Sequence, residues 1–170
     1  MTMHTTESTL PCRPTVAEAA RQYGSLSVPT SATGVFDAAV NYLRGDAIER
    51  GLIDRLEHST TDFRLNIIHD GNDSYDPMRH QINWDPYSAL RTTCGGHQSA
   101  ALGLGHEIDH ATFDPRKAAQ LANTYDPNFD NLEEKRVITG SETHAAHTLG
   151  EDARHDHRGS VYAVASPVTR

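Results

Sequence analysis

Apolar residues recur at helical spacing in the segment that follows residue 33. Positions 35, 38, 39, 42 and 43 are apolar and share one side of a helix, and positions 48, 52, 53 and 56 continue the pattern on a second helix. A glycine at position 45 or 51 marks the break between the two helices. The pattern predicts a pair of amphipathic helices between residues 34 and 59.

Polar and apolar residues alternate in three shorter segments, which we predict to be strands. They are DFRLNIIHDG at residues 62–71, HQINW at residues 80–84 and SVYAVAS at residues 160–166. Turn-forming residues close the first two, at Gly71 and Pro86. These short strands predict a small antiparallel sheet, and the HQINW strand is a candidate for the sheet edge, where an extended peptide would pair.

A helix rich in small and aliphatic residues is expected after the turn at residues 94–96. The run HQSAALGLGHEIDHATF, residues 97–113, has the composition of a helix buried against a sheet. We therefore predict an α+β fold in which this helix packs on a short, mainly antiparallel sheet. Residues 1–33 are rich in Ser, Thr and Pro and are predicted to be a flexible leader, with residues 34–170 as a single domain.

The composition narrows the class of protein further. The chain has 170 residues, enough for one domain, and its 15 Lys plus Arg against 23 Asp plus Glu give a net charge of −8. An acidic chain lacks the basic surface that binds phosphates, so we expect no nucleic-acid partner. The longest apolar run, from Ala100 to Leu104, is far below the roughly 20 residues that cross a bilayer, so we expect no membrane span.

The ends and the cysteines indicate where such a chain is made. The first residues, MTMHTTESTLPCRP, lack the basic and apolar regions of a secretory signal peptide. The two cysteines, Cys12 and Cys94, are far apart and form no disulfide framework, which fits synthesis in a reducing cytoplasm. Export would then require a dedicated secretion system.

The strongest chemical motif is HExxH, spelled by residues 106–110. On a helix, positions i and i+4 lie one above the other, so His106 and His110 can reach one metal ion while Glu107 lies beside them as a general base. Neutral imidazole is the commonest metal ligand, and the motif indicates one zinc ion per chain.

Zinc needs a third protein ligand, and the residues downstream leave several candidates. A metzincin would have glycine at position 113 and histidine at position 116, but these positions hold Phe113 and Arg116. Asp114 stands where a helix start is expected. The remaining candidates are acidic residues of the next two segments, Glu133, Glu134 and Glu142.

The segments HEIDHA, LEEKRVITG and the later ET, LGE and Arg positions together resemble the NleD-type zinc metallopeptidases, which are bacterial effector proteins. The stretch from Glu133 to Gly140 is also similar to the EELRTFGG segment of clostridial neurotoxin light chains. The resemblance implies a small zincin-like domain, Glu134 as the third zinc ligand and Glu133 as its supporting neighbour. Glu142 is the alternative ligand, because a Glu that opens a helix behind HExxH is a common solution.

The family commonly carries an Arg-x-x-Tyr pair near its end, where the two side chains stabilise the oxyanion. This chain has Arg154, Arg158 and Tyr162 in that region, at spacings that we do not match to the pair. We expect Tyr162 to be the oxyanion donor and Arg158 to support it.

The resulting hypothesis is a zinc-dependent endopeptidase in which Glu107 accepts a proton from the attacking water and delivers it to the leaving amine. The resemblance implies a secreted bacterial effector or toxin, delivered with secretion machinery or a chaperone, that cleaves a protein in the cytoplasm of a host or competitor cell. Two alternatives stay open: a zinc-stabilised module that binds a partner without cleaving it, and a metal hydrolase acting on a non-peptide bond.

Overall fold

A five-stranded mixed sheet forms the first layer of the fold in the computed structural model, which describes residues 18–170. Its strands lie in the order β1-β2-β3-β5-β4. The strands are β1 (Ala20–Tyr23), β2 (Leu26–Pro29), β3 (Phe63–Ile67), β4 (Ser74–Asp76) and β5 (Gln81–Trp84). The β2–β3 and β3–β5 pairs are parallel, whereas the β1–β2 and β4–β5 pairs are antiparallel.

Two helices make the crossover between β2 and β3, as a parallel pair requires. After a 3₁₀ turn at Thr30–Ala32, helix α1 covers Thr33–Leu43 and helix α2 covers Ala47–Glu57. The break falls at residues 44–46, and Asp46 caps α2 by accepting hydrogen bonds from the backbone N–H groups of Ile48 and Glu49. The predicted helix pair is confirmed.

Helix α3 (Ala100–Thr112) carries the HExxH residues and lies between the sheet and the first two helices. Ser99 caps its start, and the indole N–H of Trp84 on β5 donates to the carbonyl of Ala100 at 2.8 Å. Leu104 and Ile108 are fully buried in the main core. The helix is therefore anchored at its start and along its apolar side, which holds the histidines in place.

A glycine allows α2 and α3 to approach closely. A Cβ atom at position 105 would lie 2.5 Å from Oε2 of Glu49, a residue of α2 with no exposed surface. Gly105 is thus required by packing, directly before the first histidine of the motif.

The last third of the chain folds around the open side of α3. The helices are α4 (Pro115–Ala122), α5 (Leu132–Val137) and α6 (Thr143–Leu149), with a π-helical turn at Ile138–Glu142 between the last two. The further strands, of which the first two precede α3 in the chain, are β6 (Ser88–Thr92), β7 (His97–Gln98), β8 (Tyr125–Asp126), β9 (Asp130–Asn131) and β10 (Gly159–Ala163). They form a β10-β6-β7 sheet and a β8–β9 pair, all antiparallel.

The mixture of helices and strands confirms an α+β fold, but the sheet differs from the expected one. Two of the four strand pairs of the main sheet are parallel. Helices α1 and α2 return the chain to the same end of the sheet before β3 begins, and β4, which is antiparallel to β5, returns it before β5 begins. The HQINW strand is β5, which lies inside the sheet, and the edge is β4 instead. A strand of three residues carried too little alternation to be recognised.

The predicted flexible leader at residues 1–33 is wrong for its last part. Residues 1–17 lie outside the described residues, but β1 and β2 occupy part of the segment from residue 18 to residue 33. Leu26 and Val28 alternate with polar neighbours and are buried in the main core. Composition averaged over 33 residues concealed this short alternating strand. Among residues 18–170, no helix combines the length and apolar character needed to cross a membrane.

Candidate metal centre

Helix α3 presents the two motif histidines on one side, one turn apart. The Nε2 atoms of His106 and His110 lie 3.0 Å from each other, and His106 is 4% exposed. The i, i+4 spacing of the motif thus produces the convergence that the sequence predicted.

The third member of the cluster is Glu134, at the start of α5. The side chain of Asn131 caps this helix by accepting hydrogen bonds from the backbone N–H groups of Glu133 and Glu134. The cap fixes the first turn of α5, which lies against α3. Oε2 of Glu134 lies 3.0 Å from Nε2 of His106 and 3.4 Å from Nε2 of His110. His106, His110 and Glu134 form a group that could hold a metal ion.

The spacing of these three atoms fits zinc. Bonds of about 2.0–2.2 Å in a tetrahedral arrangement place ligand atoms roughly 3.3 Å apart. The observed separations of 3.0, 3.0 and 3.4 Å are close to that value. Two imidazole nitrogens and one carboxylate oxygen are also the donor set of many catalytic zinc sites.

The Nδ1 atom of each histidine faces away from the cluster and lies beside a carboxylate that accepts hydrogen bonds from an arginine. Nδ1 of His106 lies 2.7 Å from Oε2 of Glu142, and Arg154 donates to both oxygens of that carboxylate at 2.7 Å. Gln98 donates to the same carboxylate at 3.0 Å. Glu142, the alternative third ligand in the sequence hypothesis, therefore faces the side of His106 opposite to the cluster.

His110 has a matching support. Its Nδ1 lies 3.1 Å from Oε1 of Glu133, and Arg136 donates to both oxygens of Glu133 at 2.7 and 2.9 Å. Arg136 also donates to Asp109 of α3 at 2.8 Å, and its guanidinium lies 3.9 Å from the ring centre of Phe113. Arg136 thus ties α5 to α3, and Glu133, which the resemblance assigned as the neighbour supporting Glu134, contacts His110.

These outer contacts determine what the inner atoms can do. Because ionised Glu133 and Glu142 only accept hydrogen bonds, they favour the neutral tautomer with the proton on Nδ1, in which the Nε2 lone pairs face Glu134. Three acceptor atoms within 3.4 Å of one another repel unless positive charge lies between them. A cation or bound protons between these three atoms would relieve the repulsion.

The pKa values of the histidine and glutamate side chains in and around the cluster are shifted by the same charges. Burial alone lowers the pKa of His106, but Glu134 and Glu142 outweigh burial and raise it to about 10. Burial raises the pKa of Glu134, yet hydrogen bonds from His106 and His110 hold it well below its usual range. Burial raises the pKa of Glu142, but the charge of Arg154 and the contact with His106 outweigh burial and lower it to about 2. A bound metal ion would displace protons from the histidines.

Glu107 is next to the cluster and lines the cleft in front of it. The residue is 6% exposed, and burial raises the pKa of its carboxyl group against the opposing charges of His106 and His110. Asp73 lines the same cleft, and its pKa is raised to about 7 by burial and by the nearby Glu107 and Asp85 carboxylates. A carboxylate with a raised pKa is suited to take and return a proton near neutral pH.

The cleft has a volume of about 880 Å³ and passes over the cluster. Ser74 and Tyr75 of the edge strand β4 line one side, and residues of α4 line another. His157 also lines the cleft: its Nδ1 lies 2.5 Å from Asp130, and its Nε2 lies 3.4 Å from Oε2 of Glu134.

The structure does not bring the two expected oxyanion residues to the cleft. Tyr162 lies on β10, where its ring packs against His97 and Arg91, and its hydroxyl is buried with no hydrogen-bond partner among residues 18–170. Arg158 pairs with Asp156 at 3.6 Å and is largely exposed. Neither side chain lines the cleft, and no residue of β10 or of its partner strand β6 does.

The sequence assigned no site role to Arg154 or His157, yet both side chains reach the site. The two residues are three positions apart, the spacing of the Arg-x-x-Tyr pair in the proteins that the sequence resembles, with histidine in the tyrosine position. A search that allowed this exchange would have pointed to both.

A scan of protein-family models and searches of curated proteins and of solved structures found no match to this chain.

Proposed function

We propose that this protein is a zinc-dependent endopeptidase. The observation that carries the proposal is the convergence of three electron-pair donors, His106, His110 and Glu134, at 3.0–3.4 Å beside the buried carboxyl group of Glu107. A structural zinc site closes its fourth position with protein and has no use for a base. This cluster has three protein donors and opens onto a cleft.

Zinc held by these residues would act as a Lewis acid that polarises the scissile carbonyl group and makes a water molecule more acidic. Glu107 accepts the proton of the attacking water and then delivers it to the departing amine, which its raised pKa favours. Glu133 and Glu142 keep the histidines in the tautomer that directs Nε2 inward. His157, oriented by Asp130, takes the role of oxyanion donor that the sequence hypothesis assigned to Tyr162.

The edge strand β4 supports a peptide as the substrate. It ends the five-stranded sheet, and two of its residues, Ser74 and Tyr75, line the cleft. An extended peptide can add to such an edge through backbone hydrogen bonds, which would place it across the metal cluster. This geometry favours an endopeptidase over a hydrolase of small non-peptide substrates.

The resemblance to NleD-type effectors supports a role outside the producing cell. We propose that the chain is made in a bacterial cytoplasm, exported by a dedicated secretion system, and directed against a protein of a host or competitor cell.

The test combines zinc content with cleavage of a randomised peptide mixture, read by mass spectrometry. We expect one zinc per chain and peptide cleavage in the wild type, and zinc without cleavage in Glu107→Gln. Cleavage that survives in Glu107→Gln contradicts the mechanism. A wild type that holds zinc but cleaves no peptide or casein would favour the partner-binding module, and a wild type that takes up no zinc would remove the enzyme proposal.

A further inference from the structure

Part of the cleft lining is apolar, and we call this part the chamber and define it by two walls. The first wall is the inner side of α4, where Pro115, Ala118, Ala119 and Ala122 line the cleft. The second wall is formed by Phe63, Tyr75 and His80 from the strands β3, β4 and the turn before β5. Both walls are largely apolar, and they belong to the same cleft as the metal cluster.

The α4 wall is notable for the small size of its side chains. None of the residues of α4 is buried, and Ala119 and Ala122 are exposed although they face the cleft. An alanine side chain leaves space for an occupant, and the exposed apolar surface gains free energy only when something covers it. Because the chamber is continuous with the site of the proposed reaction, the substrate is the molecule in position to cover it.

The second wall is an aromatic group. The ring of Phe63 lies 6.3 Å from that of Tyr75 and 5.8 Å from that of His80, and the Tyr75 hydroxyl lies 3.3 Å from Nδ1 of His80. His80 has a φ of 48°, in the left-handed region that non-glycine residues rarely adopt. Such backbone strain is concentrated at functional sites, where it positions a side chain.

We propose that this chamber receives a large apolar side chain of the substrate, next to the bond that is cleaved. The inference rests on the proposed endopeptidase function and adds its specificity. An aliphatic or aromatic side chain of leucine size or larger covers the alanines of α4 and contacts the ring group. A glycine or a charged residue in the same position leaves that surface uncovered or loses hydration.

Filling the chamber tests the proposal. The zinc-loaded wild type, Ala119→Phe and Ala122→Phe are each incubated with a randomised peptide mixture, and the residues on both sides of every cleaved bond are read by mass spectrometry. We expect large apolar residues to be enriched roughly tenfold at one of the two positions in the wild type. In the filled variants the enrichment at that position shifts to glycine, alanine and serine.

The matched control is Gln120→Phe, which adds the same ring to α4 at an exposed position that does not line the cleft. It is expected to keep the wild-type preference. Thermal unfolding and zinc content confirm that each variant is folded and loaded. A wild type with no apolar preference, or filled variants that keep the wild-type preference, would overturn the proposal.

A second measurement separates failure of the chamber from failure of the enzyme proposal. Chemical shifts of the backbone amides are followed by NMR while N-acetyl-leucine amide or N-acetyl-glycine amide is added at millimolar concentration. We expect the leucine compound to shift the amides of Ala118 and Ala119 and the glycine compound to leave them unchanged, whether or not peptides are cleaved. Equal responses to the two compounds would reject the chamber even if the protein proves to be a peptidase.

Discussion

The carboxylate of Glu142 lies 2.7 Å from Nδ1 of His106, on the side of the imidazole that faces away from Glu134. Two acidic residues thus contact opposite nitrogens of one ring. One is placed to bind a metal ion together with the ring, and the other orients the ring.

Substituting the two acidic residues separately should distinguish their roles. We expect Glu134→Ala to abolish stoichiometric zinc binding, because it removes a ligand atom. Glu142→Gln keeps an oxygen that can accept the Nδ1 proton but loses the charge that pairs with Arg154, so zinc affinity should fall about 10- to 100-fold. Zinc titration against a chromophoric chelator measures both effects. The reverse order of losses would make Glu142 the ligand.

Arg136 should stabilise the fold as well as the site. It joins Glu133 to Asp109, and both carboxylates are less than 8% exposed, so Arg136→Ala leaves two nearly buried carboxylates without a guanidinium partner. We expect a loss of about 3 kcal/mol in the free energy of unfolding, at the low end for buried pairs because the arginine is one-quarter exposed. Arg136→Lys should recover part of the stability but reach fewer carboxylate oxygens. Denaturant unfolding provides the measurement, with Arg116→Ala as an exposed control; equal losses in the two alanine variants would disprove the role.

Glu49 should make stability depend on pH. Burial, followed by the charges of Asp109 and Asp46, raises the pKa of this carboxyl group to about 8, against about 4.5 when unfolded. The native state therefore binds the proton more tightly, and stability falls as pH rises from about 4.5 through about 8, by at most roughly 1.4 kcal/mol per pH unit.

Glu49→Gln removes this ionisation, so the free energy of unfolding of the variant should equal that of the wild type near pH 4. Near pH 8 the variant should be more stable by roughly a few kcal/mol. Urea unfolding at a series of pH values tests this, and the exposed Asp62→Asn serves as a control that leaves the slope unchanged. An identical pH dependence in wild type and Glu49→Gln would show that the carboxyl group is not held protonated.

Substitution of His157 should lower kcat, whereas substitution of Tyr162 should not. We expect His157→Ala to lower kcat by about 10²- to 10³-fold, the usual effect of losing one oxyanion donor, while one zinc per chain is retained. Tyr162→Phe should leave kcat unchanged, since the hydroxyl does not line the cleft. Steady-state cleavage of a peptide identified from the mixture tests both variants. A large loss in Tyr162→Phe alone would restore the original assignment.

Local sequence was sufficient for the parts of the protein that depend on local periodicity. The helix pair before β3, the strands β3, β5 and β10, and the paired histidines of α3 all follow from spacing within one element. The short strand β2 was missed because two buried residues, Leu26 and Val28, stand in a polar segment. The parallel pairing of β2 with β3 was missed because it joins residues that are far apart in the chain.

The sequence by itself determined that His106 and His110 share one side of a helix, with Glu107 beside them, because 3.6 residues per turn place i and i+4 together. It offered three acidic residues for the remaining ligand and left two of them in competition even after the resemblance was considered. The tertiary structure decided which of them lies beside both histidines: α5 brings Glu134 to Nε2 of His106, in the group that could hold a metal ion, and the π-helical turn brings Glu142 to Nδ1. Contacts of this kind depend on how separate elements pack, and no spacing along the chain encodes that geometry directly.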